Sequence, residues 1–247
     1  MFVTINGKKT HYEERGKGKP ILFVHGWPAS IKSLEKIAQI ASKNYRAIRV
    51  ELPGFGSSAN PEPDWGVEEY AAHLVEFIKT LELRKVVYFG HSFGGELGIY
   101  IASHYPDVVE KLILANSSYK REGKPKKLVK IIKNVLNRAA PFKTIEPVVK
   151  KYFYRIFFPK SDILKSPHLE SNFRKIVTQD LTPFVSTIKI PTLILWGQID
   201  TITPIHWAYE LNEKIKKSVL KVFSNAGHGL PLKYPEEAFE EVEKFIS

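Results

Sequence analysis

One stretch of the chain has the residue types and spacing for nucleophilic chemistry. Gly90-His91-Ser92-Phe93-Gly94-Gly95 contains the pattern G-x-S-x-G. Alone it is weak, because at ordinary Gly and Ser frequencies it arises by chance in roughly one chain of this length in ten or twenty. Its flanks make it specific. Val86-Val87-Tyr88-Phe89 reads as a strand and Glu96-Leu97-Gly98-Ile99-Tyr100 as a helix. A sharp strand-to-helix turn holds its serine in a strained backbone and lifts the hydroxyl clear of the sheet. Side chains in place of the flanking glycines would collide across such a turn. The competing reading, an ordinary strand-to-helix loop, is disfavoured by this context.

A serine hydroxyl is a poor nucleophile at neutral pH. It needs a base, and the base needs an orienting carboxylate. When the serine sits on such a turn, the partners follow it in the order acid, then histidine. Four histidines lie downstream: His104, His168, His206 and His228. His228 follows a strand in Asn225-Ala226-Gly227-His228-Gly229, a tight loop able to aim an imidazole back over the sheet edge. His104 closes the helix after the serine, His206 sits in a first helical turn and His168 in a basic segment, so these three read as surface or structural. Asp200 lies just past the strand in Leu195-Trp196-Gly197-Gln198-Ile199-Asp200. The rival position after strand Lys111–Ala115 reads Asn116-Ser117-Ser118 and offers no carboxylate. The expected catalytic set is Ser92, Asp200 and His228.

The elements that must position these residues alternate between strand and helix. Asn6-Gly7 marks a hairpin between Phe2–Ile5 and Lys8–Glu13. Pro20–Val24 and Tyr45–Val50 read as strands, separated by a helical pattern over Ser30–Ser42. Val67–Leu83 is a helix with Leu74, Phe77, Ile78 and Leu81 on one face. Further strands are expected at Lys85–Gly90, Lys111–Ala115, Pro191–Gly197 and Ser218–Ser224. Helices are expected at Gly94–His104, from Pro204, and over Pro235–Ile246. This alternation predicts an α/β fold with a mostly parallel, doubly wound sheet.

The segment 117–180 breaks the alternation. It carries 16 basic and five acidic residues, so the whole net charge of +11 lies there, and the remainder balances at 21 of each sign. Such asymmetry marks a piece with its own task. Pro125–Ala139 reads as an amphipathic helix, and Pro147–Phe158 is rich in aromatics, among them Phe153, Tyr154 and Phe157. The chain has no cysteine, which excludes a disulfide framework, thiolate metal sites and a cysteine nucleophile. Its 43% hydrophobic content excludes a disordered chain. No apolar run approaches the roughly 20 residues that span a bilayer, and the first twenty residues lack the apolar stretch of a secretory signal. A soluble, cytoplasmic protein is expected.

With His25-Gly26-Trp27-Pro28, Leu52-Pro53-Gly54-Phe55-Gly56-Ser57-Ser58, Gly90–Gly95, Gly197–Asp200 and Gly227-His228 in place, the chain resembles α/β-hydrolase fold proteins with a helical cap over its full length. The resemblance implies a core domain of residues 1–116 and 181–247 and a cap of residues 117–180. It also implies an oxyanion hole made by the backbone N–H groups of Trp27 and Phe93, since rigid amide dipoles suit developing charge. The Trp27 side chain would wall the acyl pocket or simply pack, and the cap residues Phe153, Tyr154 and Phe157 would roof it. A serine nucleophile departs from haloalkane dehalogenases and epoxide hydrolases, which use a carboxylate. Phe93 departs from prolyl aminopeptidase-like members, which usually carry Trp after the nucleophile. His25–Pro28 lacks the glycine run common near the oxyanion hole of carbon–carbon bond hydrolases.

The expected activity is that of a serine carboxylic ester hydrolase acting on short to medium acyl esters, with no metal or organic cofactor. Alternatives are a more specialised acyl hydrolase, such as an acyl-carrier methyl ester esterase or lactonase, and a non-catalytic ligand-sensing protein. The expected partner is a small-molecule ester. The basic cap suggests an acidic acyl carrier or an anionic lipid surface as a second partner, against the plainer reading of a solvated lysine-rich face like those of thermophile proteins. Nucleic acid is not expected, because no nucleic-acid motif accompanies the charge.

Overall fold

The computed structural model describes residues 1–121 and 166–247. Eight strands form one sheet: β1 (Phe2–Ile5), β2 (Lys8–Arg15), β3 (Pro20–Val24), β4 (Arg46–Val50), β5 (Val86–His91), β6 (Val109–Ala115), β7 (Thr192–Gly197) and β8 (Ser218–Phe223). Their order is β1-β2-β4-β3-β5-β6-β7-β8. Only the β1–β2 and β2–β4 pairings are antiparallel; the rest are parallel. The described helices are α1 (Glu35–Ala41), α2 (Val67–Thr80), α3 (Phe93–His104), α4 (Glu170–Ile176), α5 (Thr182–Val185), α6 (Ile205–Lys214), α7 (Leu230–Lys233) and α8 (Pro235–Ile246). This is the doubly wound α/β sheet that the alternation of patterns predicts.

The central strands are continuous apolar runs because both faces of the sheet are covered. With a side-chain period of two, Leu22, Val24, Tyr88, Leu112, Leu114, Ile194 and Trp196 join one core with α2, α3 and α6. Ile21, Phe23, Val87, Phe89, Ile113, Leu193 and Leu195 join the other with α1 and α8. Their C-terminal ends are thereby fixed side by side along one edge.

Two expected helices differ in their bounds. The pattern over Ser30–Ser42 splits into a 3-10 turn, Ile31–Leu34, followed by α1. The reason is a diverted acceptor: the Ile31 carbonyl takes a hydrogen bond from Arg49 Nη1 at 2.9 Å, and the Glu35 N–H turns to Lys32 instead. The helix expected over Val67–Leu83 stops at Thr80, because Glu82 takes a left-handed conformation (φ +54°) while Leu83 still buries itself in the core.

The described parts of the segment expected as a cap are residues 117–121 and 166–180. Their basic side chains are paired locally: Lys120 with Glu210, Arg121 with the buried Glu96, Arg174 with Glu170 and Lys175 with Glu69. The helix expected at Pro125–Ala139, the aromatic stretch and the pocket residues Phe153, Tyr154 and Phe157 lie outside the described residues. Among the described residues, no helix is long and apolar enough to cross a membrane.

His73 on α2 is buried beneath β2, with Nε2 2.9 Å from Thr10 Oγ1. Burial, helped by the Lys8 charge, pushes it from its ordinary 6.5 down to about 4. The unfolded chain takes up this proton near pH 6.5 and the folded chain only near 4. The contribution of His73 is therefore complete above pH 6.5 and is lost as pH falls toward 4. Buried His25 and His91, also lowered, act with the same sign. Urea unfolding should give a stability that falls between pH 7 and 5. His73→Gln should reduce that slope by up to about 1.4 kcal/mol per pH unit; an unchanged slope would contradict the assignment.

Candidate active site

Ser92 follows β5 directly and caps α3, with φ +54° and ψ −115°. Such a conformation is costly for a residue with a Cβ and persists only where its surroundings over-determine it. Here they do. The Ser92 N–H donates to Ala115 O on β6 at 3.1 Å, and the Ser92 carbonyl accepts from Gly95 and Glu96 N–H at 3.0 and 3.1 Å. Two glycines make the turn sterically feasible. A Cβ on Gly90 would meet Gly94 O at 2.4 Å, and a Cβ on Gly94 would meet Val24 O at 2.2 Å. The buried Tyr88 hydroxyl donates to Gly94 O at 2.8 Å and fixes the first turn of α3.

The structure brings together the three residues singled out in the sequence. Ser92 Oγ lies 3.1 Å from His228 Nε2, and His228 Nδ1 lies 2.9 Å from Asp200 Oδ2. A carboxylate only accepts, so Nδ1 bears the proton and Nε2 presents a lone pair to the serine hydroxyl. Burial alone would raise the Asp200 carboxyl. The hydrogen bond and charge of His228, with donors from Thr203 Oγ1 and the Ile202 N–H, outweigh this and hold it down to about 2. The carboxylate is thus ionised wherever the imidazole acts as a base. The other candidates are engaged elsewhere: His104 stacks on Tyr100 with centroids 4.0 Å apart, and His168 Nε2 bonds Gly54 O at 3.0 Å.

The His25–Pro28 loop passes next to the serine, since a Cβ on Gly26 would lie 2.9 Å from Ser92 Cβ. His25 Nε2 accepts from Leu52 N–H at 3.1 Å, so its Nδ1 carries the proton and donates to Gly26 O at 2.9 Å. Ala29 N–H donates to the same carbonyl at 3.0 Å. The trans peptide Gly26–Trp27 is planar, so anchoring its carbonyl aims the Trp27 N–H the opposite way. Burial lowers His25, in keeping with a neutral ring that both donates and accepts. Phe93 is the first residue of α3, where N–H groups have no intrahelical acceptor.

The Trp27 ring packs edge-on against Phe55 and Phe93, at 4.9 and 5.7 Å, and against Phe173 of α4 at 5.6 Å. Its Nε1–H is buried and has no partner among the described residues. Phe173 was not expected there: an isolated aromatic in a basic stretch carries no signal until the chain folds over Trp27. Sequence reasoning also missed three polar neighbours. His91, inside the serine motif, donates Nε2–H to His228 O at 2.8 Å. Burial, then the nearby His228 charge, lowers it to about 3. Asn116 Nδ2 and Thr203 Oγ1 each donate to Asp200 Oδ2 at 2.6 Å. Asn116 stood in the position weighed for the acid, so its place at a strand end was the signal available. Among the described residues, no three His, Asp or Glu side chains are placed to hold a metal ion.

Comparison with known proteins identifies the family of the fold. A model of the alpha/beta hydrolase fold family matches residues 19–142, and one described as TAP-like protein matches residues 175–247. The AB hydrolase superfamily protein YisY of Bacillus subtilis is 33% identical, over 88% of this chain and 87% of its own. A 2-hydroxy-6-oxo-6-(2'-aminophenyl)hexa-2,4-dienoic acid hydrolase of Metapseudomonas resinovorans is 25% identical, over 100% of this chain and 90% of its own. Among solved structures, an esterase from Exiguobacterium antarcticum is 26% identical with a TM-score of 0.77, covering 99% of this chain and 98% of that one.

The turn geometry predicts a sharp contrast between two glycines. Gly94→Ala forces a methyl group into the backbone oxygens of Val24 and His25 and should cost about 2–3 kcal/mol in urea unfolding. Gly229→Ala, whose Cβ would meet nothing closer than Lys233 at 4.0 Å among the described residues, should stay within about 0.5 kcal/mol of the parent.

Proposed function

Since the chain belongs to the alpha/beta hydrolase fold family, we propose that it is a serine-dependent carboxylic ester hydrolase acting on short to medium acyl chains. The observation that carries this reading is the continuous hydrogen-bonded chain from Ser92 Oγ through His228 to Asp200, with the serine on a strained turn. Esterase structures among its likenesses support the ester as the bond attacked.

In this reading Ser92 Oγ attacks the ester carbonyl while His228 Nε2 takes the hydroxyl proton. The tetrahedral oxyanion is held by the N–H groups of Trp27 and Phe93. Collapse breaks the bond to the alkoxy oxygen, and His228 gives its proton to the departing alcohol. Water, deprotonated by the same imidazole, attacks the acyl-serine and releases the acid with Ser92 restored. Asp200 remains ionised throughout and keeps His228 in the tautomer that faces Ser92. Trp27, Phe55, Phe93 and Phe173 would form the apolar wall for the acyl chain, beneath a cap formed by residues 117–180.

The test is p-nitrophenyl acetate, butyrate and octanoate hydrolysis by the parent and by Ser92→Ala. The variant should lose at least roughly 10³-fold in kcat, and a serine-directed fluorophosphonate should label the parent at Ser92 alone. Equal rates in the two proteins would overturn the serine mechanism. An unlabelled parent would favour a ligand-sensing role.

A second reading, docking of an acidic acyl carrier, draws on the charge confined to residues 117–180. It requires kcat/KM for a carrier-bound methyl ester to fall steeply between 50 and 500 mM salt, on the order of tenfold or more, while that for a neutral free ester does not. A flat salt response would remove it.

A further inference from the structure

The Asp200 carboxylate is shared among more donors than its role in orienting His228 requires. Oδ1 accepts from the N–H groups of Ile202 and Thr203 at 2.7 and 2.9 Å. Oδ2 accepts from Asn116 Nδ2 at 2.6 Å, Thr203 Oγ1 at 2.6 Å and His228 Nδ1 at 2.9 Å. The imidazole is thus the longest of three contacts on a single oxygen. Asn116 and Thr203 are both fully buried, so water does not compete for their donors.

Both residues are held to this task by their backbones. Asn116 follows β6 with φ +47°, a conformation that asparagine tolerates better than most residues, and its N–H donates to Leu195 O on β7 at 3.0 Å. Its amide is thereby delivered to the end of the neighbouring strand, from which Asp200 departs. The Thr203 hydroxyl has a second oxygen near it, Asn116 O at 3.3 Å, and lies 3.3 Å from His228 Nδ1. The shorter distance assigns its single proton to the carboxylate.

We propose that Asn116 and Thr203 are positioning residues that set the proton affinity of His228 by drawing charge from the oxygen it shares with them. A neutral donor on a carboxylate oxygen disperses its charge. Less charge is left to stabilise the imidazolium that forms when Ser92 is deprotonated. The two residues therefore keep the base free to act at lower pH than a His–Asp pair alone would allow. Among the described residues, the other titratable groups facing the pair are His91 on β5, whose ring centroid is 5.1 Å from that of His228, and His25 just after β3, beyond it. Both are buried and held neutral, so neither supplies a competing charge.

The proposal rests on the hydrolase reading for its kinetic readout, so a second readout is independent of turnover. Thr203→Val removes the hydroxyl at constant shape. Thr203→Ser keeps it. Asn116→Gly removes the amide while allowing the left-handed backbone. In kcat/KM against pH, the acid limb should move up by about half a pH unit to one unit in Thr203→Val and in Asn116→Gly, and return to the parent position in Thr203→Ser. The same displacement should appear in the NMR titration of the His228 ring proton, which needs no substrate. Lowered kcat with an unmoved limb and titration would reduce both residues to structural supports and overturn the proposal, as would a Thr203→Ser protein that behaves like Thr203→Val. Should Asn116→Gly fail to fold, the threonine pair decides alone. A parent protein that hydrolyses no ester would overturn the proposed function, while the ring titration would still decide this inference.

Discussion

The site depends first on one backbone hydrogen bond, from the Ser92 N–H to Ala115 O. It extends the β5–β6 ladder one residue beyond the strand proper and holds the serine at φ +54° against its own preference. Neighbouring strands lie about 4.8 Å apart, so the ends of β5, β6 and β7 form a short ruler. Ser92 stands on the first mark, Asn116 on the second and the loop bearing Asp200 on the third. A histidine reaching in from the loop after β8 can then touch the first and third residues at once. Loss of register between any two of these strands would separate the groups by more than any side chain could recover.

Much of this was legible in the sequence because it is carried by local patterns. Short apolar runs alternating with amphipathic ones specify a parallel sheet, and a parallel sheet brings every strand's C-terminal end to one edge. The serine motif marks itself by glycines that only a tight turn requires. Asp200 and His228 were found by their places after strands, since a loop at that edge must project toward its neighbours. Polar groups whose function is set by a partner were not legible. Asn116 was read as a vacancy for an acid, yet it is a donor to the acid of the next strand. His91 carries no local sign of its role, since its bond to the His228 carbonyl depends on a loop 137 residues away. Glu82 and Ile31 altered helix bounds for a similar reason, one through its own backbone angle and the other through an arginine from β4.

The charge asymmetry takes on a different meaning once the ends of the basic segment are placed. Lys120, Arg121, Arg174 and Lys175 are not a free positive field. Three of them reach carboxylates of the core elements α2, α3 and α6, and the fourth pairs within its own helix. Arg121 in addition donates to Ile176 O at 2.8 Å, joining both ends of the segment to buried Glu96 just behind the nucleophile turn. Some of the excess basic residues thus serve as attachments of the two ends of the segment to the sheet domain.

Two hydrogen bonds of the site join residues far apart along the chain: 136 positions separate Ser92 from His228, and 84 separate Asn116 from Asp200. Neither can form by local condensation, and each requires the loops between to close first. The contact between Ser92 and His228 is therefore absent from any chain in which the loop after β8 has not yet docked, however much helix and strand that chain contains. Local structure alone cannot supply it.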